Sequence, residues 1–425
     1  MTYFIQKQCA IYALMLLAAL AWLGGIFVLQ WRPPDQILGE TVSWWTTSLN
    51  LIHGHGYSLC IQYYFPFCNT ANQVSAAREP LPVLLFAGIA MLFKESLLAA
   101  GVTELFIHIG IMLALFFLTR ELAGPLAGLI AVLVWAVYPE AFGLISQVSG
   151  DLLAALGLTF GMLFIVRARK SDRVRDWMLA GLGLGVASLS RSATIVIAGT
   201  IVLGLIVERW RLKETIIKRL RPALLVGIVA VALIMPWLIR NEIVFGQPVF
   251  GSTLVGYNVY RQNYMLSTSA NFHYVGTNEG WQAIQAVVAR RTDLRGAENE
   301  AQMNQVYLQE GLKVIAAHPG QYILLSLFRF FPLWFDWGVS AAFGYSPGFF
   351  EYAMMVIQAV LLALALLGLP KYFQRTWPLW ISLAALSAAY MAVDSRMLYI
   401  VCVMPLVISL SVVGGRSLRA SAAIT

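Results

Sequence analysis

Residues 10–57 read AIYALMLLAALAWLGGIFVLQWRPPDQILGETVSWWTTSLNLIHGHGY. Ala10 to Leu29 is an unbroken apolar run about as long as a membrane-spanning helix needs. It follows Lys7, and no small-x-small cleavage pattern comes after it, so it reads as a retained first span. The chain then turns polar. Val42, Trp45, Leu49 and Ile52 recur at intervals of three and four, a helical stripe, with Thr46, Thr47, Ser48 and Asn50 between them. This predicts a short amphipathic helix that opens near Glu40 and stops at Gly54 and Gly56, the residues that leave helical geometry most readily. A polar helix carrying a carboxylate beside a membrane is the first place to expect chemistry.

The rest of the chain agrees with a membrane setting. Of 425 residues 59% are hydrophobic and only 12% charged, with a mean hydropathy of +0.73, more apolar surface than a soluble domain can bury. Thirteen Trp and 17 Tyr suit interfacial belts. The net charge of +8 needs no nucleic-acid partner, because basic cytoplasmic loops produce it. Cys9 and Cys402 lie in or beside apolar runs and read as small core residues. Cys60 and Cys68 lie in the polar stretch and are candidates for a loop-closing disulfide if it faces an oxidising compartment.

Lys and Arg set the topology. The linkers 167–177 and 208–221 carry five and six basic residues and are expected on the cytoplasmic side. Counting spans outward from them gives an all-α polytopic protein of about ten transmembrane helices. Residues 30–95 form a first extracytoplasmic loop containing a short interfacial helix at 81–93, and 240–320 form a second polar segment. Residues 322–335, with Arg329 and Pro332, are too short to span and are placed on the outer surface, followed by spans at 350–369, 377–390 and 398–413. The scheme puts 17 of the 29 basic residues inside. It divides the chain into an N-terminal transmembrane module (1–240), an extracytoplasmic loop region (241–348) and C-terminal transmembrane helices (349–425).

With this topology Glu40, Arg78, Glu79, Asp151, Arg191, Arg240, Arg329, Asp394 and Arg396 all fall at outer span ends or in outer segments. Taken singly, each Arg reads as a snorkelling anchor. Gathered on one face, they read as a site. Arg fits phosphate by forked hydrogen bonds and keeps its charge, and ten of the twelve outer basic residues are Arg. His53-x-His55 in a Gly-rich turn, with no third ligand near, reads as structural rather than as a metal site.

Gly39-Glu40 through Trp44, Leu51 and Gly54-His55-Gly56-Tyr57 resembles the first extracytoplasmic loop of the polyprenyl-phosphate-sugar-dependent glycosyltransferases of the GT-C superfamily. That group includes aminoarabinose transferases and protein O-mannosyltransferases. Arg78-Glu79-Pro80-Leu81-Pro82, Tyr138-Pro139, Ser149-Gly150-Asp151, Leu189-Ser190-Arg191, Pro236-Trp237-Leu238-Ile239-Arg240-Asn241, His318-Pro319 and Arg396-Met397-Leu398-Tyr399 are similar to further landmarks in the same order. The resemblance implies an inverting transferase that moves sugar from a polyprenyl-phosphate donor to an acceptor hydroxyl of a glycan, lipid or protein, at the outer face of a bacterial inner membrane. It implies no cofactor and no metal. Two departures stand out: the usual catalytic Asp is replaced by Glu40, with Asp35 as the alternative, and Trp44 stands where a Tyr is common.

The chemistry then assigns Glu40 or Asp35 as general base, with Asp151 orienting the acceptor. Arg191, Arg240 and Arg396, with Arg78 or Arg329, form the phosphate-binding pool, and Glu79 is either a site residue or a local partner of Arg78. The aromatic residues of 240–320, Tyr257 and Trp281 among them, are expected to help form the acceptor side. The competing class is a polyprenyl-linked sugar transporter or lipid-binding protein. It would need charged or Gly/Pro-broken positions deep in several spans, whereas here the middles of the spans are almost free of charge.

Overall fold

A computed structural model describes residues 2–31, 40–70, 73–210, 215–268 and 271–422. No strand occurs among them, only one isolated bridge between Ser58 and Val74. The N-terminal module comprises α1 (Thr2–Trp31), α2 (Glu40–Ile52), α3 (Pro80–Leu92), α4 (Leu97–Ala123), α5 (Pro125–Ala136), α6 (Pro139–Gly143), α7 (Asp151–Ser171), α8 (Val174–Ser190), α9 (Ile195–Trp210) and α10 (Ile216–Phe245). The following region holds α11 (Val255–Asn263), α12 (Thr277–Arg290), α13 (Glu300–Ala317), α14 (Pro319–Phe328), α15 (Phe330–Phe335) and α16 (Val339–Ala342). The chain then enters α17 (Phe349–Val393), a 3-10 segment at Met397–Val403 and α18 (Met404–Ala422).

Among the described residues seven helices are long and apolar enough to cross a membrane, and α5 with α6 forms a bent eighth. Two features bring the count to about ten. The first is α8, a 17-residue helix wedged between α7 and α10. Gly183 allows this, since a Cβ there would stand 2.5 Å from the Gly161 nitrogen and 2.6 Å from the Gly157 carbonyl.

The second is α17. Its 45 residues would run about 67 Å if straight. Yet Glu351 in its first turn bonds Ser340 (2.7 Å), near Asp336, which accepts from Met397 N–H (3.4 Å). Tyr390 near its other end stacks on Tyr399 at 4.9 Å. Its middle lies at the far end of the bundle, where the carbonyls of Gln374 (2.8 Å) and Arg375 (3.2 Å) accept from Arg169. The helix therefore doubles back within the stretch containing Pro370 and Pro378, residues that interrupt the helical hydrogen-bond ladder. Its two arms are the expected spans 350–369 and 377–390.

The linkers expected on one side meet there. Lys170 bonds Glu121 (2.9 Å), Arg169 pairs with Glu208, Arg209 pairs with Asp172 (2.9 Å), and Gly124 lies against Arg416. At the opposite end sit α2, α3 and the region from α11 to α16, with the Cys60–Cys68 disulfide closing a loop of the first polar segment. The interfacial helix expected at 81–93 is α3, begun by Pro80. The piece expected at 322–335 is split at Arg329 into α14 and α15.

The reversal of α17 is open to a labelling test. Cysteines at Arg375 and Arg416 should react with a membrane-impermeant maleimide from one face, and a cysteine at Tyr345 from the other. Labelling of Arg416→Cys from the Tyr345 face would mean that α17 crosses only once.

Candidate functional site

The stripe proposed for α2 needs one correction. Trp45, Leu49 and Ile52 pack on Val83 and Phe86 of α3, but Val42 is 42% exposed while Ser43, Thr47 and Ser48 are buried. Back-bonding makes this burial affordable: Ser43 Oγ donates to the Glu40 carbonyl (2.6 Å), Thr47 to Ser43 (2.7 Å) and Ser48 to both Trp44 and Val83 (3.0 and 3.1 Å). The polar face turned inward carries Glu40 in the first turn.

Arg78 comes to Glu40 from the segment before α3. Its Nε donates to Ser43 Oγ (2.6 Å), its guanidinium lies 5.5 Å from the centre of the Trp44 ring, and its Nη1 stands 3.6 Å from Glu40 Oε2. Trp44 thus seats the guanidinium on an aromatic face where a Tyr would offer a hydroxyl. Two hydrogen bonds strap the segment in place: Ala76 N–H and Thr253 Oγ1 both donate to Glu300 (2.9 and 2.8 Å).

Asp151 and Arg191 meet because Gly150 permits it. A Cβ at Gly150 would fall 2.2 Å from the Ser190 carbonyl, so only glycine lets the start of α7 touch the end of α8. Arg191 Nη1 is then 3.2 Å from Asp151 Oδ1 and 3.9 Å from Glu40 Oε2. Its Nε donates to Tyr390 Oη (3.3 Å), and its guanidinium covers the Tyr399 ring at 4.9 Å.

Glu40, a third exposed, thus faces a ring of cations. Burial works against its charge, but Arg78, Arg191, Arg396 and Arg261 together hold its carboxyl below the usual range. Arg396 rests on Phe343 (5.5 Å), with Glu40 and Asp336 among the carboxylates around it.

The remaining expected site residues sit differently. Asp35 lies outside the described residues. Glu79 does not pair with Arg78: its Oε1 accepts from Ser192 N–H (2.8 Å) and Ser192 Oγ (2.9 Å). Arg240 donates to the carbonyls of Ser75 (2.8 Å) and Tyr57 (3.3 Å) within a cage of Tyr57, Trp237 and Phe245. Arg329 donates to the carbonyls of Met391 (3.1 Å), Ala392 (3.2 Å) and Gln262 (2.5 Å).

Sequence reasoning passed over Arg261, which pairs with Asp394 (2.7 Å), itself bonded by Tyr399 Oη (3.2 Å). It gave no role to Tyr390 or Tyr64, and named Tyr399 only as part of a landmark motif; Tyr64 faces Arg78 and Glu40 from the disulfide-closed loop. The only signal for Arg261 was its place among the aromatic residues of the second polar segment. Trp281 of that segment stacks on Tyr63 at 5.8 Å, and Tyr257 lies edge-on to Tyr64 at 5.0 Å. His53 bonds Glu95 (2.7 Å) at the surface, and no metal-binding group of three or more His, Cys, Asp or Glu occurs among the described residues.

A family model described as dolichyl-phosphate-mannose-protein mannosyltransferase matches residues 77–239. No curated protein matches the chain in sequence. Among solved structures, the Archaeoglobus fulgidus oligosaccharyltransferase in its apo form is 15% identical with a TM-score of 0.53, the match covering 94% of this chain and 50% of that one. Its complex with an inhibitory peptide and a dolichol-phosphate gives 15%, 0.53, 95% and 50%. ArnT from Cupriavidus metallidurans bound to undecaprenyl phosphate is 13% identical with a TM-score of 0.42, covering 96% of this chain and 78% of that one. The chain spans about half the length of the archaeal enzyme it matches. The resemblance to the GT-C superfamily therefore extends to the fold: the chain is a multi-pass membrane protein of GT-C architecture.

Two stability measurements check the site. Arg191→Gln strands Asp151 and should lower stability by about 3–5 kcal/mol, and adding Asp151→Asn should recover part of the loss, read by thermal unfolding in detergent. Glu300, pushed up to about 7 by burial against an ordinary 4.5, keeps its proton in the fold after the unfolded chain has released it. Its contribution to stability is therefore full below about 4.5 and fades as pH rises to about 7. Glu300→Gln should remove that slope from the pH dependence of unfolding.

Proposed function

We propose that the chain is an inverting glycosyltransferase that moves a sugar from a polyprenyl-phosphate donor to an acceptor hydroxyl, at the extracytoplasmic face of a bacterial inner membrane. The reading rests above all on Glu40. It is a partly exposed carboxylate at the outer end of the bundle, held ionised by arginines that approach only to 3.6 and 3.9 Å. The dolichol-phosphate bound by the archaeal structure of the same fold supports a lipid-phosphate donor. The side is assigned from the basic linkers gathered at the other end.

In this mechanism Glu40 Oε2 takes the proton of the acceptor hydroxyl as its oxygen forms the new bond to the sugar carbon. The bond from that carbon to the phosphate oxygen breaks on the opposite face, which inverts the configuration. The electron pair leaves with the polyprenyl phosphate, whose charge Arg78, Arg191 and Arg396 stabilise by forked hydrogen bonds. Asp151 keeps Arg191 in place and orients the acceptor. Arg240, Arg329 and Glu79 fasten the loops from which the site is built. The loop 30–95 carries the catalytic side and the region 241–348 the acceptor side, where the aromatic faces of Tyr63, Tyr64, Tyr257 and Trp281 suit a glycan, lipid or protein-linked acceptor. The donor serves as substrate, and no cofactor is assigned.

Radiolabelled polyprenyl-phosphate sugars supply the test, with donor-lipid binding followed in parallel. Glu40→Gln should cut transfer by about 10²–10⁴-fold while donor still binds, and Asp35→Asn should leave transfer near wild type. The reverse pattern would make Asp35 the base. Donor binding without transfer by the wild type would favour a carrier of lipid-linked sugar.

A further inference from the structure

Behind Asp151, inside the bundle, α4 carries Glu104 and His108 one turn apart, both with no exposed surface. Glu104 Oε1 accepts from Ser149 N–H (3.2 Å), and Ser149 Oγ accepts from Asp151 N–H (3.3 Å). A carboxyl at membrane depth thus supports the turn that leads into Asp151. The other polar atoms nearby have no such use. Glu104 Oε2, His108 Nδ1 and Nε2, and Trp135 Nε1 are all buried without a hydrogen-bond partner among the described residues. The His108 ring stacks on Trp135 at 5.4 Å and meets the edge of Phe142 at 5.8 Å. Trp135 stacks in turn on Tyr138 (6.0 Å), whose hydroxyl accepts from Gln358 (2.8 Å).

Each orphaned atom would forfeit a hydrogen bond that it makes to water in the unfolded chain. Four such atoms, three on adjacent turns of α4 and one on the α5 ring stacked against His108, offer both donors and acceptors, the partners that a buried water needs. A core position that needed only packing would carry an apolar side chain of the same size, and an ionisable pair within a span calls for a use.

We propose that Glu104, His108 and Trp135 hold ordered water inside the bundle, and that this hydrated node fixes the Ser149–Asp151 turn so that Asp151 meets Arg191. Glu104 is then a positioning residue that acts through the hydrogen bond its Oε1 accepts from Ser149 N–H, a bond that an amide oxygen can also accept. Its consequence for catalysis rests on the transferase reading, whereas the water itself does not.

Two measurements address the node without any transfer assay. In radiolytic hydroxyl-radical labelling of the wild-type protein, the rates of His108 and Trp135, each divided by its side chain's intrinsic reactivity toward the radical, should exceed that of Met112, one turn further along α4 and equally buried, because bound water is the local radical source. His108→Phe should lower the melting temperature, since it removes two partners of the water; in a dry site the same change would raise it. Silent labelling together with a raised melting temperature would overturn the proposal. A third measurement addresses positioning. Glu104→Gln should keep kcat near wild type, and Glu104→Leu should lose about 10²-fold in kcat and bind donor more weakly, since Arg191 loses the partner that holds it in place. Wild-type kcat in Glu104→Leu, or equal loss in both variants, would refute the positioning role. If the wild type transfers no sugar, the transferase reading fails while the labelling and melting results still decide whether water is held.

Discussion

A guanidinium that keeps its charge cannot be taken out of water unless its environment replaces what water supplied. Arg191, 7% exposed, meets that demand with Asp151 at the head of α7, Glu40 at the head of α2, the Tyr390 hydroxyl from the second arm of α17 and the Tyr399 ring beyond it. Four segments far apart in sequence are thereby held at one point. Much nearby detail serves this contact. Gly150 gives up its side chain so that the ends of α7 and α8 can touch, and α17 must double back for Tyr390 to arrive. Glu79 ties down Ser192 just beyond the arginine. The bundle is fastened where its charge is most costly, so stability and any chemistry at this end share the same side chains.

The parts of this arrangement that follow from local rules were legible in the sequence. The lengths of apolar runs and the placing of Lys and Arg gave the spans, including both arms of α17. The apolar run from Leu81 marked α3 to within one residue of its start, and Gly54 the stop of α2. Glu40, Arg78, Asp151 and Arg191 were recognisable because charge at a span end is rare enough to be noticed. The errors came where tertiary contact overrides pattern. Val42 fits the apolar stripe of α2 but faces outward, because the helix buries a face of hydroxyls that satisfy one another through backbone carbonyls. Tyr390 carried no reading of its own and Tyr399 only a place in a landmark motif, and nothing in their neighbours in sequence reveals that they cradle an arginine 199 or more positions away. Glu79 beside Arg78 invited a local pair, yet extended backbone points adjacent side chains in opposite directions.

The outer arginines divide by what accepts their hydrogen bonds. Arg240 and Arg329 spend their donors largely on main-chain carbonyls, so their work is to hold the loop around Ser75 and the end of α17. A carbonyl carries no formal charge, and such an arginine is committed to shape. Arg78, Arg191 and Arg396 instead face carboxylates, hydroxyls and aromatic rings. Residue type alone cannot make this distinction, since a phosphate ligand and a loop fastener are the same side chain. The acceptor makes it, and the acceptor is a property of the fold.

Within the second group, taken with its neighbour Arg261, the charges are unequally matched. Arg191 lies 3.2 Å from Asp151, and Arg261 lies 2.7 Å from Asp394, so each has a close counter-ion. Arg78 reaches its nearest carboxylate only at 3.6 Å, and that is Glu40, which Arg191 shares at 3.9 Å. Arg396 adds a further cation resting on a ring. Glu40 is therefore shared between two guanidiniums and held closely by neither, a loose arrangement from which an arriving anion can recruit those cations. In the proposed reaction that anion is the donor phosphate, and its arrival would alter Glu40 as well. The guanidiniums that depress the Glu40 carboxyl would turn toward the phosphate, and the phosphate's own negative charge would add to the change, so the carboxyl would become more basic as the donor binds. A resting site that keeps its base weakly basic and its cations loosely held becomes a stronger base only when the sugar to be moved is in place.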